Sequence, residues 1–468
     1  MTDRPTTLPT QAFAFSMLLA CAAAPATPGT GDEASDEASD EATAANDSSG
    51  LGDASTTAAP ELGPDDGSVT FYRDVLPIVQ SRCIACHRDG NIAPFSLERY
   101  EDAWTWREAI MASITAGTMP PWLPGADCNT YTNDPSLPPD EVEVLAAWVA
   151  EQGPRGDLGD APPPVEVEPS GLPRVDLTLA LPEPYTPVGA DDYRCFLLDW
   201  PLDAPAYVTG FHAKPGNASI VHHAIAYNIT PDRVTQYEAL DAADPSAGYP
   251  CFGGPGGAVS DPGAGLWLGA WAPGGGAAPY PEGTGLAMAP GSKVVLQIHY
   301  NTAAGGVGSD QTSIEMMTAT EVEREAFMML WADIDWLGGN MPIPAGDADV
   351  EHTWALDPTL VMDFLTDVVP PDQPFMIHSS SQHMHLLGTR ARQDILRADG
   401  SNTCLVDIPQ WDFGWQSAYR FSDPVRFEPG DTLRLSCHWD NASGTQDVNW
   451  GEGTGDEMCL GVYYVTGI

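Results

Sequence analysis

Hydrophobic and polar positions change their spacing between the first and second parts of the chain. From Thr70 to about Gly153 the apolar residues recur at helical intervals, as in Ser96–Ile114 and Pro139–Ala150. Beyond Pro173 this periodicity gives way to short alternating or apolar runs that are bounded by Gly, Pro, Asn and Asp. The pattern predicts a multidomain chain, in which a small all-α domain precedes an all-β region of one or two sandwiches.

Composition refines these boundaries. Residues 22–68 are mostly Asp, Glu, Ala, Ser, Thr and Gly, which bury too little apolar surface to order a chain, so they predict a disordered acidic tether. A Pro-rich stretch at 154–173 predicts a stiff linker. The predicted segments are an export signal at 1–21, the tether at 22–68, the helical domain at 69–153, the linker at 154–173, and β-sandwiches at 174–315 and 316–468.

The amino-terminal apolar run predicts export. Gln11–Cys21 has the length of a signal peptide and is too short to span a bilayer. Its end, Leu18–Cys21, resembles a bacterial lipoprotein processing site, with Cys21 as the lipidated residue. A lipid there, followed by the tether, would hold a periplasmic or cell-surface protein at a membrane. Nine cysteines also fit an oxidising compartment.

The balance of charge excludes one class of partner. The formal net charge is −47, and the only lysines are Lys214 and Lys293. Because a protein that binds nucleic acid needs a basic surface to neutralise phosphates, no nucleic-acid partner is expected. The acidic excess is better explained by solubility.

One motif in the helical part carries redox chemistry. Cys83–His87 has the C-x-x-C-H spacing of a covalent c-type haem site, in which two thiols bind the haem and His87 becomes an axial ligand. The helical segment around it resembles a small cytochrome c domain. Met119, in a Gly/Pro-rich loop, is favoured over Met111 as the sixth ligand. A disulfide or a zinc half-site are the alternatives, but no second C-x-x-C follows to complete a zinc site.

Histidines in the predicted strands form a second set of candidate ligands. In a strand, His383 and His385 point to the same face and can share a metal ion, whereas His222 and His223 would need a bulge to do so. His299 lies on a further strand, and Met458 opens the last one. Imidazole and thioether together suit copper, and thioether favours its cuprous state. Structural zinc sites more often use thiolates. The nearby aromatic run Trp411–Trp415 is either packing or the lining of a substrate cleft.

Over roughly Val175–Ile468 these motifs resemble the copper type II, ascorbate-dependent monooxygenases, the family of peptidylglycine alpha-hydroxylating and dopamine beta-monooxygenase. The resemblance implies two jelly-roll-like β-sandwiches, each with one copper, that face each other across a solvent-filled cleft. It implies one copper at His222, His223 and His299, which stores and passes an electron. It implies a second, catalytic copper that activates dioxygen and abstracts a substrate hydrogen, at His383, His385 and Met458.

The resemblance also bears on disulfides and on the substrate. It implies the pairs Cys437–Cys459 and Cys195–Cys251, and leaves Cys128 and Cys404 unassigned. Peptide-amidating members hold a substrate carboxylate with Arg, Asn and Tyr. The corresponding positions here are Ser381, Leu460 and Val462, so a neutral or apolar, non-peptide substrate is expected.

The sequence therefore predicts a copper-dependent monooxygenase that hydroxylates a C–H bond of a small organic substrate with O₂. An external donor, either an ascorbate-like reductant or a redox protein, would supply electrons through the fused haem. The alternative is a copper and haem electron-transfer or copper-handling protein without hydroxylase activity. A third hypothesis treats the β-sandwiches as a recognition module, which would hold no stoichiometric copper.

Overall fold

The computed structural model describes residues 68–468, except 90–92, 94, 133, 166–170, 252–253, 257–265, 273–275, 303–305 and 452. The described residues belong to one compact unit, Ala59–Ile468. The predicted export signal with Cys21, and nearly all of the acidic tether, lie outside the described residues. None of the helices in the described ranges is long and apolar enough to cross a membrane.

The helical part begins with a π-helical turn, Phe71–Val75, that leads directly into the first α-helix. The α-helices are α1 Leu76–Arg82, α2 Tyr100–Thr115, α3 Pro139–Ala150, α4 Val234–Ala243, α5 Ile334–Leu337 and α6 Met362–Leu365. Short 3₁₀ turns cover Leu158–Asp160 and Pro358–Val361. The predicted helix at Pro139–Ala150 agrees with α3 to the residue.

Three aromatic side chains form the centre of this helical core. The Phe71 ring lies 5.6 Å from that of Tyr100 and 5.9 Å from that of Trp148, and all three are almost fully buried. The Tyr100 hydroxyl donates to the carbonyl of Gly153 over 2.9 Å, which fixes the chain where it leaves α3. Gly153 adopts a positive φ of 70°, and a Cβ there would meet the Trp104 ring at 2.8 Å, so glycine is required at this turn.

The rest of the described chain is almost entirely β-structure. The strands are β1 Leu177–Ala180, β2 Asp191–Asp199, β3 Ala206–Lys214, β4 Val221–Ile229, β5 Tyr249–Pro250, β6 Leu266–Trp271, β7 Ala278–Pro279, β8 Thr284–Met288, β9 Lys293–Asn301, β10 Ser313–Ala319, β11 Arg324–Trp331, β12 Val350–Leu356, β13 Phe375–His383, β14 Gly388–Leu396, β15 Asn402–Ile408, β16 Ala418–Phe427, β17 Thr432–Trp439 and β18 Leu460–Gly467.

These strands build two sandwiches that share one long sheet. The shared sheet has the order β1-β10-β3-β8-β11-β18-β13-β16, with β7 added beside β3. A five-stranded sheet, β5-β2-β9-β4-β6, covers its first half, and a four-stranded sheet, β12-β17-β14-β15, covers its second half. Separate apolar cores fill the two sandwiches. The predicted all-β region is confirmed, and it forms two sandwiches rather than one.

The two sandwiches meet at a parallel pair of strands, β8 and β11, where Ala326 lies opposite Leu286. Strand β10 runs through positions 315 and 316 and pairs with both β1 and β3. Strand β10, which ends at Ala319, therefore spans the predicted boundary between residues 315 and 316.

Candidate metal centre

The first histidine set lies at the face of the five-stranded sheet. His222 and His223 are on β4, and His299 lies opposite His223 on β9. The register of this pairing shifts between Val221 and His223, which is the irregularity that the sequence requires if adjacent histidines are to share a metal ion. One ring nitrogen of each of the three histidines lies within 4.8 Å of the others. The structure therefore brings together all three residues that were predicted for the first site.

Hydrogen bonds indicate which ring nitrogens face the centre of this set. The Nδ1 atoms of His222 and His223 approach to 3.3 Å. His299 makes a 2.9 Å hydrogen bond from Nε2 to the carboxylate of Asp191, while its Nδ1 is buried and has no hydrogen-bond partner. Because Asp191 fixes the proton on Nε2, the lone pair of His299 Nδ1 is left for a metal ion.

Burial keeps these rings uncharged. Burial, followed by the neighbouring imidazoles of His299 and His383, lowers the pKa of His222 to about 4. Burial also lowers the pKa of His223 well below its ordinary value, and that of His299 as well, against the opposing effect of Asp191. Neutral imidazole is the form that donates a lone pair to a metal ion.

The second set lies where β13 ends. The Nε2 atoms of His383 and His385 approach to 3.2 Å. Each Nδ1 is held from behind, that of His383 by Gln416 Oε1 at 2.5 Å and that of His385 by the Asp456 carbonyl at 3.0 Å. Burial, followed by the neighbouring ring, lowers the pKa of His383 to about 3. The Nε2 lone pairs of the two rings are thus directed to one point, although His385 lies just beyond the end of β13.

The register of the shared sheet brings the segment that carries Met458 beside His385. His383 lies opposite Leu460 in the antiparallel pair of β13 and β18, so the chain after His383 runs beside the chain before Leu460. Met458 is 9% exposed. The next residue, Cys459, is bonded to Cys437, which agrees with the predicted disulfide and anchors this end of β18.

Glu457 is a residue of this site whose role the sequence does not reveal. Its buried carboxylate accepts hydrogen bonds from the backbone N–H of His385 at 2.9 Å, from that of Leu387 at 2.6 Å, and from Trp439 Nε1 at 2.8 Å. Burial raises its pKa to about 7, although these donors oppose the rise. The carboxylate ties the His-x-His turn to the segment that carries Met458. The position of Glu457 next to Met458 is the one feature of the sequence that points to this role.

The two ligand sets lie against each other. The rings of His223 and His383 are 6.2 Å apart, and the Phe413 ring stacks on His222 at 4.6 Å. The hydroxyl of Thr454, a few residues before Met458, donates to Asp191 over 2.9 Å. The family resemblance implied a solvent-filled cleft between the sets. In the structure, Phe413 of the Trp411–Trp415 loop instead lies against one ring of each set, His222 and His385.

The donor chemistry of both sets fits copper. Five neutral imidazoles with lone pairs directed inward, together with a thioether, match the ligands that copper takes in both of its oxidation states. The fit rests on the unpartnered Nδ1 of His299 and on the converging Nε2 atoms of His383 and His385.

The residues that were predicted to bind a covalent haem lie in the helical part. Cys83 and Cys86 are free thiols, whereas the other six cysteines in the described ranges form three disulfides. The Nδ1 atom of His87 lies 3.2 Å from the Phe95 carbonyl, which leaves Nε2 for an iron ion. Burial raises the pKa of Cys83 to about 12.

The two candidate methionines lie in different surroundings. Cys83 and Met111 line the same apolar cavity. Met119 is 36% exposed in the loop after α2. Its assignment as the sixth ligand stays a prediction.

Two further disulfides lie in the described ranges. The predicted pair Cys195–Cys251 is confirmed. Cys128 and Cys404, which the sequence left unassigned, are bonded to each other across 276 residues. This bond joins the segment after α2 to strand β15.

Similarity to known proteins points to the same chemistry. Residues 340–466 match the family model of the copper type II ascorbate-dependent monooxygenase, C-terminal domain. Tyramine beta-hydroxylase of Caenorhabditis briggsae is 25% identical over 294 residues, which cover 58% of this chain and 45% of that protein. The chain thus spans less than half of the length of this curated relative.

Solved structures resemble the chain only weakly. The infectious bursal disease virus VP2 subviral particle covers 62% of this chain and 70% of its own at 10% identity, with a TM-score of 0.15. A second particle derived from that virus gives the same TM-score at 9% identity. Likeness at this level carries no argument about fold or function.

Proposed function

We propose that this protein is a copper-dependent monooxygenase that hydroxylates a C–H bond of a small, non-peptide organic substrate. In the overall reaction one oxygen atom of O₂ enters the C–H bond, and the other leaves as water after uptake of two electrons and two protons. The observation that carries the proposal is the pair of neutral donor sets on one chain, His222, His223 and His299 against His383, His385 and Met458.

The residues around the second set prepare it for this reaction. Copper cycling between its cupric and cuprous states supplies the single-electron chemistry that dioxygen requires. Gln416 and the Asp456 carbonyl hold the Nδ1 side of both imidazoles, so the Nε2 lone pairs stay directed inward. The soft thioether of Met458 favours the cuprous state. Glu457 holds the backbone of His385 next to that methionine.

A small organic substrate is favoured over a peptide. Ser381, Leu460 and Val462 stand where peptide-amidating relatives have residues that bind a carboxylate, and none of the three is charged. The curated relative is named for the β-hydroxylation of tyramine, a small aromatic amine. Both points support a substrate without a peptide carboxylate.

A haem bound through Cys83, Cys86 and His87 would relay electrons from an external reductant to the copper sites. The free thiols and the hydrogen bond that orients His87 support this part of the proposal. The three disulfides support an exported protein, since such bonds persist in oxidising compartments. A lipid on Cys21 would then keep the protein at a membrane surface.

The test is oxygen consumption by the copper-loaded protein with a reductant and a panel of small organic substrates. We expect substrate-dependent uptake by the parent, and Met458→Ala should lose most of it. Met376→Ala, which removes a partly buried methionine farther back on β13, should retain it. Equal uptake by Met458→Ala and the parent would contradict the enzyme hypothesis.

Metal analysis and a visible spectrum separate the alternatives. One haem and two coppers per chain are expected. Stoichiometric copper without substrate-dependent uptake would favour the alternative, a copper and haem electron-transfer or copper-handling protein. A protein without copper would favour a recognition module.

A further inference from the structure

The segment that follows the predicted haem ligand Met119 is fastened to the second sandwich. We call residues 122–132 the strap. Its backbone pairs with β15 and β16 through three hydrogen bonds, Gly125 N–H to the Asp407 carbonyl at 2.8 Å, Thr132 N–H to the Arg420 carbonyl at 2.9 Å, and Ser422 N–H to the Thr130 carbonyl at 2.9 Å. The disulfide from Cys128 to Cys404 makes the attachment covalent. The strap therefore holds the chain beside Met119 at a fixed place on the copper-type domain.

Three aromatic rings lie at this attachment. The Trp122 ring is 5.2 Å from that of Tyr419 on β16 and 5.6 Å from that of Tyr131 in the strap. The rings of Tyr131 and Tyr419 are 5.9 Å apart, and both residues are buried. The Tyr131 hydroxyl donates to the Leu405 carbonyl over 2.9 Å, which fixes its ring. The cluster is thus a rigid contact between the strap and β16.

Strand β16 continues this contact towards the second ligand set. Tyr419 lies opposite Ser380 on β13, the strand that ends at His383. Three residues before Tyr419, the side chain of Gln416 contacts His383 Nδ1 at 2.5 Å. Packed and hydrogen-bonded atoms therefore connect the Trp122 ring to a residue of the second set.

The other end of this connection lies close to the predicted haem. Trp122 is three residues after Met119, so the chain between them spans at most about 10 Å. The contacts described above for the strap are with the second sandwich, the one that carries His383 and His385. Because the rate of electron transfer falls steeply with the separation of donor and acceptor, attachment to this sandwich would favour transfer to its own ligand set.

We propose that Trp122 and Tyr419 form the route by which electrons enter the copper centre, and that they enter at the His383, His385 and Met458 site. The site of His222, His223 and His299, which stores an electron, would then be reduced from there, across the 6.2 Å between the rings of His223 and His383. This inference rests on the haem relay in the proposed function and on Met119 as the sixth haem ligand. In each transfer one electron leaves a ferrous haem, which becomes ferric, and reduces one cupric ion to the cuprous state. No bond is made or broken, and the external reductant restores the ferrous haem.

The experiment uses the full-length holoprotein without oxygen. About one electron per haem is added with dithionite, and reoxidation of the haem is followed by stopped-flow absorbance. Loss of the cupric signal is followed by freeze-quench electron paramagnetic resonance. We expect Trp122→Leu to lower the rate constant of the transfer roughly tenfold or more. Trp122→Phe keeps a ring in contact with Tyr419 and should retain most of the rate.

Trp354→Leu is the matched control. Trp354 is a partly buried tryptophan that packs against the same apolar core as Trp122, but it contacts Trp331 at 4.5 Å instead of the strap. Trp354→Leu should lose about as much packing against the apolar core as Trp122→Leu does, but it should keep the transfer rate of the parent. Haem spectrum, copper content and thermal midpoint are measured for each variant, so that a folding defect is recognised.

The site of entry is tested by removing one ligand set at a time. His299→Ala should keep the fast phase of haem reoxidation, and His383→Ala should abolish it. The reverse pattern would overturn the proposal, as would equal rates in the parent, Trp122→Leu and Trp354→Leu. If the copper-loaded parent shows no transfer at all, the haem relay itself is wrong. The outcome for the route is therefore distinguishable from the outcome for the proposed function.

Discussion

At the scale of single residues, Asp191 connects the two ligand sets. It accepts hydrogen bonds from His299 Nε2 at 2.9 Å, from Asn301 at 3.1 Å and from the Thr454 hydroxyl at 2.9 Å. Although burial raises the pKa of Asp191, the bonds from His299 and Thr454 bring it below its ordinary value, so the carboxylate is ionised. Its charge and position select the tautomer of His299 that leaves Nδ1 available.

We therefore expect Asp191→Ala to weaken copper binding at the first set by about 10- to 100-fold, the usual cost of losing such a partner of a metal-binding histidine. The measurement is a competition titration against a chelator of known affinity. Thr454→Val, which removes a hydrogen bond to Asp191 but leaves the bond to His299, is the control and should bind copper nearly as the parent does. Equal affinities in Asp191→Ala and the parent would show that His299 needs no such support.

At the scale of elements, local sequence patterns were sufficient to predict individual helices and strands. Helix α3 and the strands that carry His223 and His299 are predicted from apolar spacing and turn residues alone. The pairing of Cys128 with Cys404 joins parts of the chain that are 276 residues apart, and no local spacing encodes it. The contact of Phe413 with both ligand sets likewise depends on how the two sandwiches pack, which strand periodicity does not determine.

The disulfide that holds the strap should contribute strongly to stability. In the chain-entropy description, a disulfide stabilises by restricting the unfolded chain, and the effect grows with the length of the closed loop. Replacing Cys128 and Cys404 by alanine should lower the free energy of unfolding by about 5.5 kcal/mol, against about 4 kcal/mol for the shorter loop of Cys195 and Cys251. Urea unfolding of both double variants gives the comparison. A smaller loss for the Cys128 and Cys404 variant would mean that the strap is held by its backbone pairing and not by the bond.

At the scale of the whole molecule, the candidate metal sites lie at the meeting of the two sandwiches. Strands β8 and β11 join the halves of the long sheet, and the rings of His223 and His383 approach to 6.2 Å from opposite sides of this junction. Each ligand set comes from one sandwich, yet Asp191 and Thr454 cross between them. Binding of metal at either set should therefore stabilise the junction as well as its own sandwich.

Copper removal tests this view. A ligand that binds only the folded state stabilises it by about 4 kcal/mol at a free concentration 1,000 times its dissociation constant. Copper-loaded protein should therefore unfold at a higher temperature than chelator-treated protein in differential scanning calorimetry. His299→Ala and His383→Ala each damage one set, so each should keep part of this increase, and the double variant should keep almost none. If the double variant still gained the full increase from copper, the stabilising metal would bind elsewhere on the chain, and these histidines would not be its ligands.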